Sequence, residues 1–207
     1  VYVKDGKLVI QPVKTKNEDG SYSITSGRIN TQGKHDFTYG LFEVRAKVPS
    51  GKGFLPAFWM MPTDENLYGQ WPRCGEIDAM EVMGQETDKV YGTIHYGSPH
   101  AEKQGTYTLE NGNFADEYHT FSCDWQPGKI TWYVDGKDVY TAYGDANGLP
   151  VNPGKIMMNV WPGRGVDDWL GAFNGATTLT AQYKAASYSK TAPGSSAKPS
   201  TPPSYSS

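Results

Sequence analysis

Apolar and polar residues alternate along much of the chain. Between Leu41 and Val48, Phe42, Val44, Ala46 and Val48 fall on one parity and Glu43, Arg45 and Lys47 on the other, which predicts a half-buried β-strand. Ile130, Trp132 and Val134 alternate in the same way with Lys129, Thr131 and Tyr133. Asp135-Gly136 then predicts a tight hairpin turn into a strand from Lys137 to Tyr140. Further turn dipeptides stand at Asp5-Gly6, Asp19-Gly20, Asn111-Gly112 and Asn147-Gly148. Many short strands separated by such turns predict an all-β sandwich of antiparallel sheets.

Composition narrows this further. A chain of 207 residues can bury one sizeable core and is short for two domains. With 24 Gly and 14 Pro against 20% charged residues, it disfavours helical bundles. The net charge of −3 supplies no field for phosphate backbones, so nucleic acid is not an expected partner. The most apolar stretch, Gly53 to Pro62, is far shorter than the roughly 20 residues of a membrane helix, so no membrane partner is expected. Cys74 and Cys123 lie in no metal-ligand spacing and are expected to be free thiols; Cys123 shares parity with Phe121 and Trp125 and is expected in the core.

The chemistry concentrates in Glu76-Ile77-Asp78-Ala79-Met80-Glu81. Acidic residues are depleted from strands and repel on a shared face, so three of them here call for a compensating reason. Glu76 and Asp78 share a face by parity, and Glu81 joins them only if one residue, Ala79 or Met80, is bulged out. Four remaining strand steps put the Glu α-carbons roughly 13 Å apart, and side chains leaning together leave roughly 5–6 Å between carboxyl groups. A retaining glycosidase needs about 5–5.5 Å between its nucleophile and its proton donor. Asp78, between them, would hydrogen-bond Glu76 and help hold the pair in different protonation states.

Aromatic side chains support a sugar cleft, because pyranose rings stack on Trp. Trp59, Trp71 and Trp161 fall near the acidic strand or on strands with polar partners, and Asn159 shares the face of Trp161, opposite Met158 and Val160. His95 lies with Tyr91 and Thr93, opposite Val90 and Ile94, and is a further candidate.

The run from Trp71 to Glu81, with Trp71-Pro72-Arg73-Cys74-Gly75 leading into the carboxylates, resembles the active-site signature of glycoside hydrolase family 16. The extra residue before the last Glu is the laminarinase-like form. Ser26-Gly27-Arg28-Ile29-Asn30, Tyr39 to Arg45 and Gly92 to Gly97 are similar to laminarinases; Asp124 to Gly128 and Lys155 to Gly175, with Trp169-Leu170-Gly171, are closer to lichenases. The resemblance implies a β-jelly-roll with a concave cleft, with Glu76 as nucleophile, Asp78 as its assistant and Glu81 as acid/base. It further implies that Asn30, Glu43, Arg45, Trp71, Arg73, His95, Asn159 and Trp161 line the sugar subsites, to which Trp59 is added from its pattern.

The chain departs from the family at three places. Leu55 stands where laminarinases commonly have a Trp. The family's leading segment does not precede Val1 and is expected to be missing, which would leave an uncovered sheet edge. Lys184-Ala185-Ala186-Ser187 stands where the family has an Asp that often helps bind calcium, followed by an apolar strand, so neither calcium nor another metal or cofactor is expected.

These features predict a catalytic domain over residues 1–188 and a Ser/Pro-rich tail or linker over 189–207. The implied activity is retaining endo-hydrolysis of β-1,3-glucans or mixed-linkage β-1,3-1,4-glucans by a secreted, monomeric protein. Galactan hydrolysis, transglycosylation and a non-catalytic glucan-binding module are the competing readings.

Overall fold

The computed structural model describes residues 1–163, 165–173 and 180–190. Among these residues, fifteen strands run in the order β1 (Tyr2–Lys4), β2 (Lys7–Ile10), β3 (Val13–Lys16), β4 (Tyr22–Thr25), β5 (Arg28–Asn30), β6 (Gly40–Lys47), β7 (Phe54–Pro62), β8 (Glu76–Glu81), β9 (Lys89–Tyr96), β10 (Ala101–Thr108), β11 (His119–Gln126), β12 (Lys129–Val134), β13 (Lys137–Tyr143), β14 (Gly154–Pro162) and β15 (Ala181–Ser189). Two single-turn helices, α1 (Glu65–Tyr68) and α2 (Asp167–Leu170), sit in the connections. No helix among the described residues is long and apolar enough to cross a membrane.

The strands form an antiparallel jelly roll. One sheet has the order β1-β2-β15-β6-β11-β12-β13 and the other β10-β9-β8-β7-β14-β5, while β3 and β4 make a separate hairpin. Two of the turn dipeptides set their hairpins by backbone sign: Asp5 and Gly6 have φ of 50° and 70°, and Asp135 and Gly136 have 50° and 80°. Two successive residues at positive φ give the turn whose twist matches that of paired strands.

The core lies between the sheets. Phe42, Val44, Phe121, Cys123, Trp125 and Ile130 from one side meet Phe54, Phe58, Ile77, Met80 and Ile94 from the other, all at most 2% exposed. Each buried Phe contributes roughly 1.5–3 kcal/mol, so this layer holds the two sheets together. Cys74 and Cys123 are both buried and free.

Two expectations change. The Lys184 to Ser187 stretch, which lacks the apolar pattern of a strand, lies within nine-residue β15 all the same, because its backbone pairs with β6 beyond a register shift between Tyr183 and Ala185. Tertiary pairing overrides the weak propensity of Ala and Lys. Lys184 turns outward, with its ammonium 4.5 Å from the centre of the Tyr118 ring. β15 also runs through Ser189, one residue into the expected tail; most of that tail, residues 191–207, lies outside the described residues.

Trp132 links the core to the acidic strand. Its indole N–H donates to the backbone oxygen of Asp78 at 2.8 Å, and it reaches there because Gly92, on β9, has no side chain. A β-carbon at Gly92 would lie 2.5 Å from Trp132 Cδ1. We therefore expect Gly92→Ala to destabilise the protein by about 1–3 kcal/mol through overpacking, seen as a lower melting temperature. An unchanged melting temperature would mean that Trp132 can move aside freely.

Candidate active site

Strand β8 carries the three carboxylates. Its pairing with β9 runs Glu76↔His95, Ile77↔Ile94, Asp78↔Thr93 and then Glu81↔Tyr91, so one extra residue has been taken up on β8. On the other side, β7 pairs Trp59↔Asp78 and Phe58↔Met80, which identifies Ala79 as the extra residue. Ala79 and Met80 both turn into the core, and Glu81 is thereby returned to the face of Glu76 and Asp78.

That face forms the floor of an open cleft of about 590 Å³, lined by the three carboxylates, by Leu55, Ala57 and Trp59 of β7, by Asn159 and Trp161 of β14, and by Arg28, Trp71 and Trp169. Trp59 donates its indole N–H to Asn159 Oδ1, which fixes both side chains on the cleft wall. Trp71, in the loop before β8, donates to Glu76 Oε2 at 2.6 Å. Trp161 and Trp169 stand with ring centres 6.2 Å apart and are both largely exposed, unlike the core Trp residues.

The three acids occupy different environments. Asp78 is 1% exposed, and its carboxyl is held well above the usual carboxylate range by burial first and then by the charges of Glu81 and Glu76. Burial also raises Glu76, but hydrogen bonds from Asp78 and from Trp71 oppose that rise. Glu81 has no such relief, and burial, with the charges of Glu76 and Glu102, pushes it up to about 7. Glu76 is therefore the group best placed to be ionised near neutral pH, with Asp78 holding a proton toward it and Glu81 able to hold one too. His95 Nε2 lies 3.2 Å from Asp78 Oδ2, and burial lowers the imidazole's pKa, which favours the neutral ring.

The other sequence candidates divide. Asn30 lies opposite Met157 at the β5 edge of the same sheet and on the cleft side by register, where its Oδ1 accepts from the backbone N–H of Gln32 at 2.9 Å. Glu43 and Arg45 do not reach the cleft. They lie on β6, in the other sheet, and alternate with core residues Phe42, Val44 and Ala46, so their side chains face outward on the far side of the molecule. There Glu43 accepts from Ser122 Oγ at 2.8 Å and Arg45 donates to Thr120 Oγ1 at 3.4 Å. Arg73 is also displaced from the carboxylate cleft, because Gly75 at φ 89° turns the chain between it and Glu76; Arg73 lines a separate hollow with Tyr96, Ser98 and Asn147.

Two cleft residues escaped the sequence reading. Arg28 pairs opposite Asn159, and its parity with Asn30 was a usable signal. Trp169 is presented by α2, whose Leu170 is fully buried; nothing in a four-residue helix announces which residue faces the cleft.

Residues 3–185 match the family model described as glycosyl hydrolases family 16. The chain is 43% identical over 152 residues to Glucan endo-1,3-beta-glucosidase A1 of Niallia circulans, a match covering 68% of this chain and 22% of that protein. The chain thus spans about a fifth of that relative's length. Among solved structures, it is similar to the laminarinase catalytic domain of Thermotoga maritima MSB8, with a TM-score of 0.78, 33% identity and coverage of 92% of this chain and 80% of that one. It is also similar to a β-1,3-1,4-glucanase (lichenase) derived from a mouse hindgut metagenome, with a TM-score of 0.75, 35% identity and coverage of 90% and 81%.

The raised carboxyl of Glu81 sets a stability signature. Its folded pKa of about 7 lies above the ordinary value of 4.5, so the folded state binds more protons across that window and loses stability as pH rises through it. We expect Glu81→Gln to melt several degrees above the wild type at about pH 8, and the gap to shrink as pH falls through about 7 and to close only below the ordinary value of 4.5, by about pH 4, as followed by calorimetry. A gap independent of pH would show that Glu81 is not strained by ionisation.

Proposed function

The chain belongs to glycosyl hydrolase family 16, and from that premise we propose that it cleaves internal β-1,3-glucosidic bonds of β-glucans with retention at the anomeric carbon. The observation that carries the reading is the unequal environment of Glu76 and Glu81 on one bulged strand. Glu76 accepts from Trp71 and Asp78, as suits an ionised nucleophile; Glu81 is half-buried without such donors and raised to about 7, as suits a proton donor.

In the first step, a Glu76 oxygen bonds to the anomeric carbon as the glycosidic C–O bond breaks, and Glu81 gives its proton to the leaving oxygen. In the second, Glu81, now a carboxylate, takes a proton from water as the water oxygen bonds to the anomeric carbon and the bond to Glu76 breaks, which returns Glu76 as a carboxylate and Glu81 as an acid. Asp78 moderates charge on Glu76 through their hydrogen bond, and neutral His95 borders Asp78 without adding a positive charge. Trp59, Trp71, Trp161 and Trp169 offer stacking faces, and Arg28 and Asn159 offer hydrogen bonds, along a cleft open enough for a chain to enter mid-length.

Mixed-linkage β-1,3-1,4-glucan is a second substrate of the same site, a reading supported by the likeness to the lichenase structure. The cleft is built from one chain, which supports action as a monomer, and a polymeric substrate supports action outside the cell.

Variants at the two Glu residues test the reading. Glu76→Ala and Glu81→Ala should each reduce laminarin hydrolysis by at least about a thousandfold. Added azide should restore turnover of an activated glucoside in both, giving the α-glycosyl azide with Glu76→Ala and the β-glycosyl azide with Glu81→Ala, distinguished by proton NMR. The opposite pattern of anomers would exchange the two roles, and undiminished hydrolysis in both variants would refute the site.

A further inference from the structure

The hairpin of β9 and β10 gathers three metal-binding side chains at the rim of the cleft. His95 Nδ1 lies 3.0 Å from His100 Nε2 and 3.6 Å from Glu102 Oε2, and the three ligand atoms all fall within 4.8 Å of one another. We propose that His95, His100 and Glu102 bind a divalent transition metal of the zinc class, and that its binding inhibits the enzyme.

The geometry supports the donor set. Ligands at about 2.0–2.1 Å from a tetrahedral ion stand about 3.3–3.4 Å apart, between the two separations found here. Two imidazoles and one carboxylate suit Zn²⁺ or Cu²⁺ and offer too little oxygen for Ca²⁺ or Mg²⁺. The fourth position faces solvent, since His100 and Glu102 are both exposed. A further feature points the same way: the other nitrogen of His95 lies 3.2 Å from Asp78 Oδ2. Metal-bound imidazoles commonly donate their remaining N–H to a carboxylate, which sets the tautomer and aims the opposite nitrogen at the ion.

The expectation of no metal came from the cysteine spacings and from Lys184, and neither bears on this place. His95 and Glu102 face each other in the strand register, and the connection that turns β9 into β10 returns His100 to the same edge. His95 and His100 also flank Trp71, with ring centres 5.8 and 5.1 Å from the indole. An ion with its remaining water would therefore stand against the wall that carries the hydrogen bond to Glu76, in the path of a glucan chain lying on Trp71. The binding claim stands on this geometry alone; the inhibition rests on the hydrolase reading.

Titration calorimetry of the whole chain with Zn²⁺, without substrate, should give one ion per chain, and Co²⁺ should give the intense visible bands of a tetrahedral site. His100→Ala and Glu102→Gln should each weaken Zn²⁺ binding by at least about tenfold. Laminarin hydrolysis should fall in the same Zn²⁺ range, recover with a chelator, and become less sensitive in both variants, each compared with its own metal-free rate. Absence of stoichiometric binding, or equal binding by the variants, would overturn the site. Stoichiometric binding with unchanged hydrolysis would overturn the inhibition. A wild type inactive even without metal would instead count against the hydrolase reading, leaving the calorimetric result to judge the site.

Discussion

Crowding of three carboxyl groups on one face of one strand is the constraint around which the cleft is arranged. Two unit charges about 5 Å apart repel by roughly 3 kcal/mol at an effective dielectric constant of 20, so all three cannot be ionised together without a large loss of stability. The surroundings resolve this by treating each acid differently. Asp78 is buried in the floor of the cleft and kept protonated by that burial, Glu76 is given donors, and Glu81 is left half-buried without them. Charge separation in the site is thus a product of packing rather than of residue type.

The bulge at Ala79 is what makes that packing possible. It sends two consecutive side chains, Ala79 and Met80, into the core and returns Glu81 to the cleft. Trp132 holds the backbone beside the bulge through Asp78 O, and Gly92 leaves the space that lets the indole approach. The chain from the core to the carboxyl cluster is therefore short: a glycine, an indole, one backbone carbonyl and the carboxyl of the same residue.

Much of this was legible in the order of residues. Parity alone required a bulge at Ala79 or Met80, although choosing between them needed the register with β7. The Asp-Gly turns at Asp5 and Asp135 read correctly because their geometry is local. Glu43 and Arg45 show where parity stops: they alternate with Phe42 and Val44 as the sequence predicts, but parity says only that two faces exist, not in which sheet the strand lies. The outward face of β6 belongs to the sheet without the cleft. His100 was equally invisible, because its meeting with His95 depends on how one loop returns to the β9 edge.

That packing rather than residue type sets the protonation of Glu76 and Glu81 apart is most directly tested by following their side-chain carboxyl carbons by NMR across pH in protein labelled at Glu. The account predicts that Glu81 titrates at about 7 and that Glu76 is ionised at a lower pH. Glu81 titrating near 4.5, the ordinary value, or losing its proton before Glu76, would contradict it.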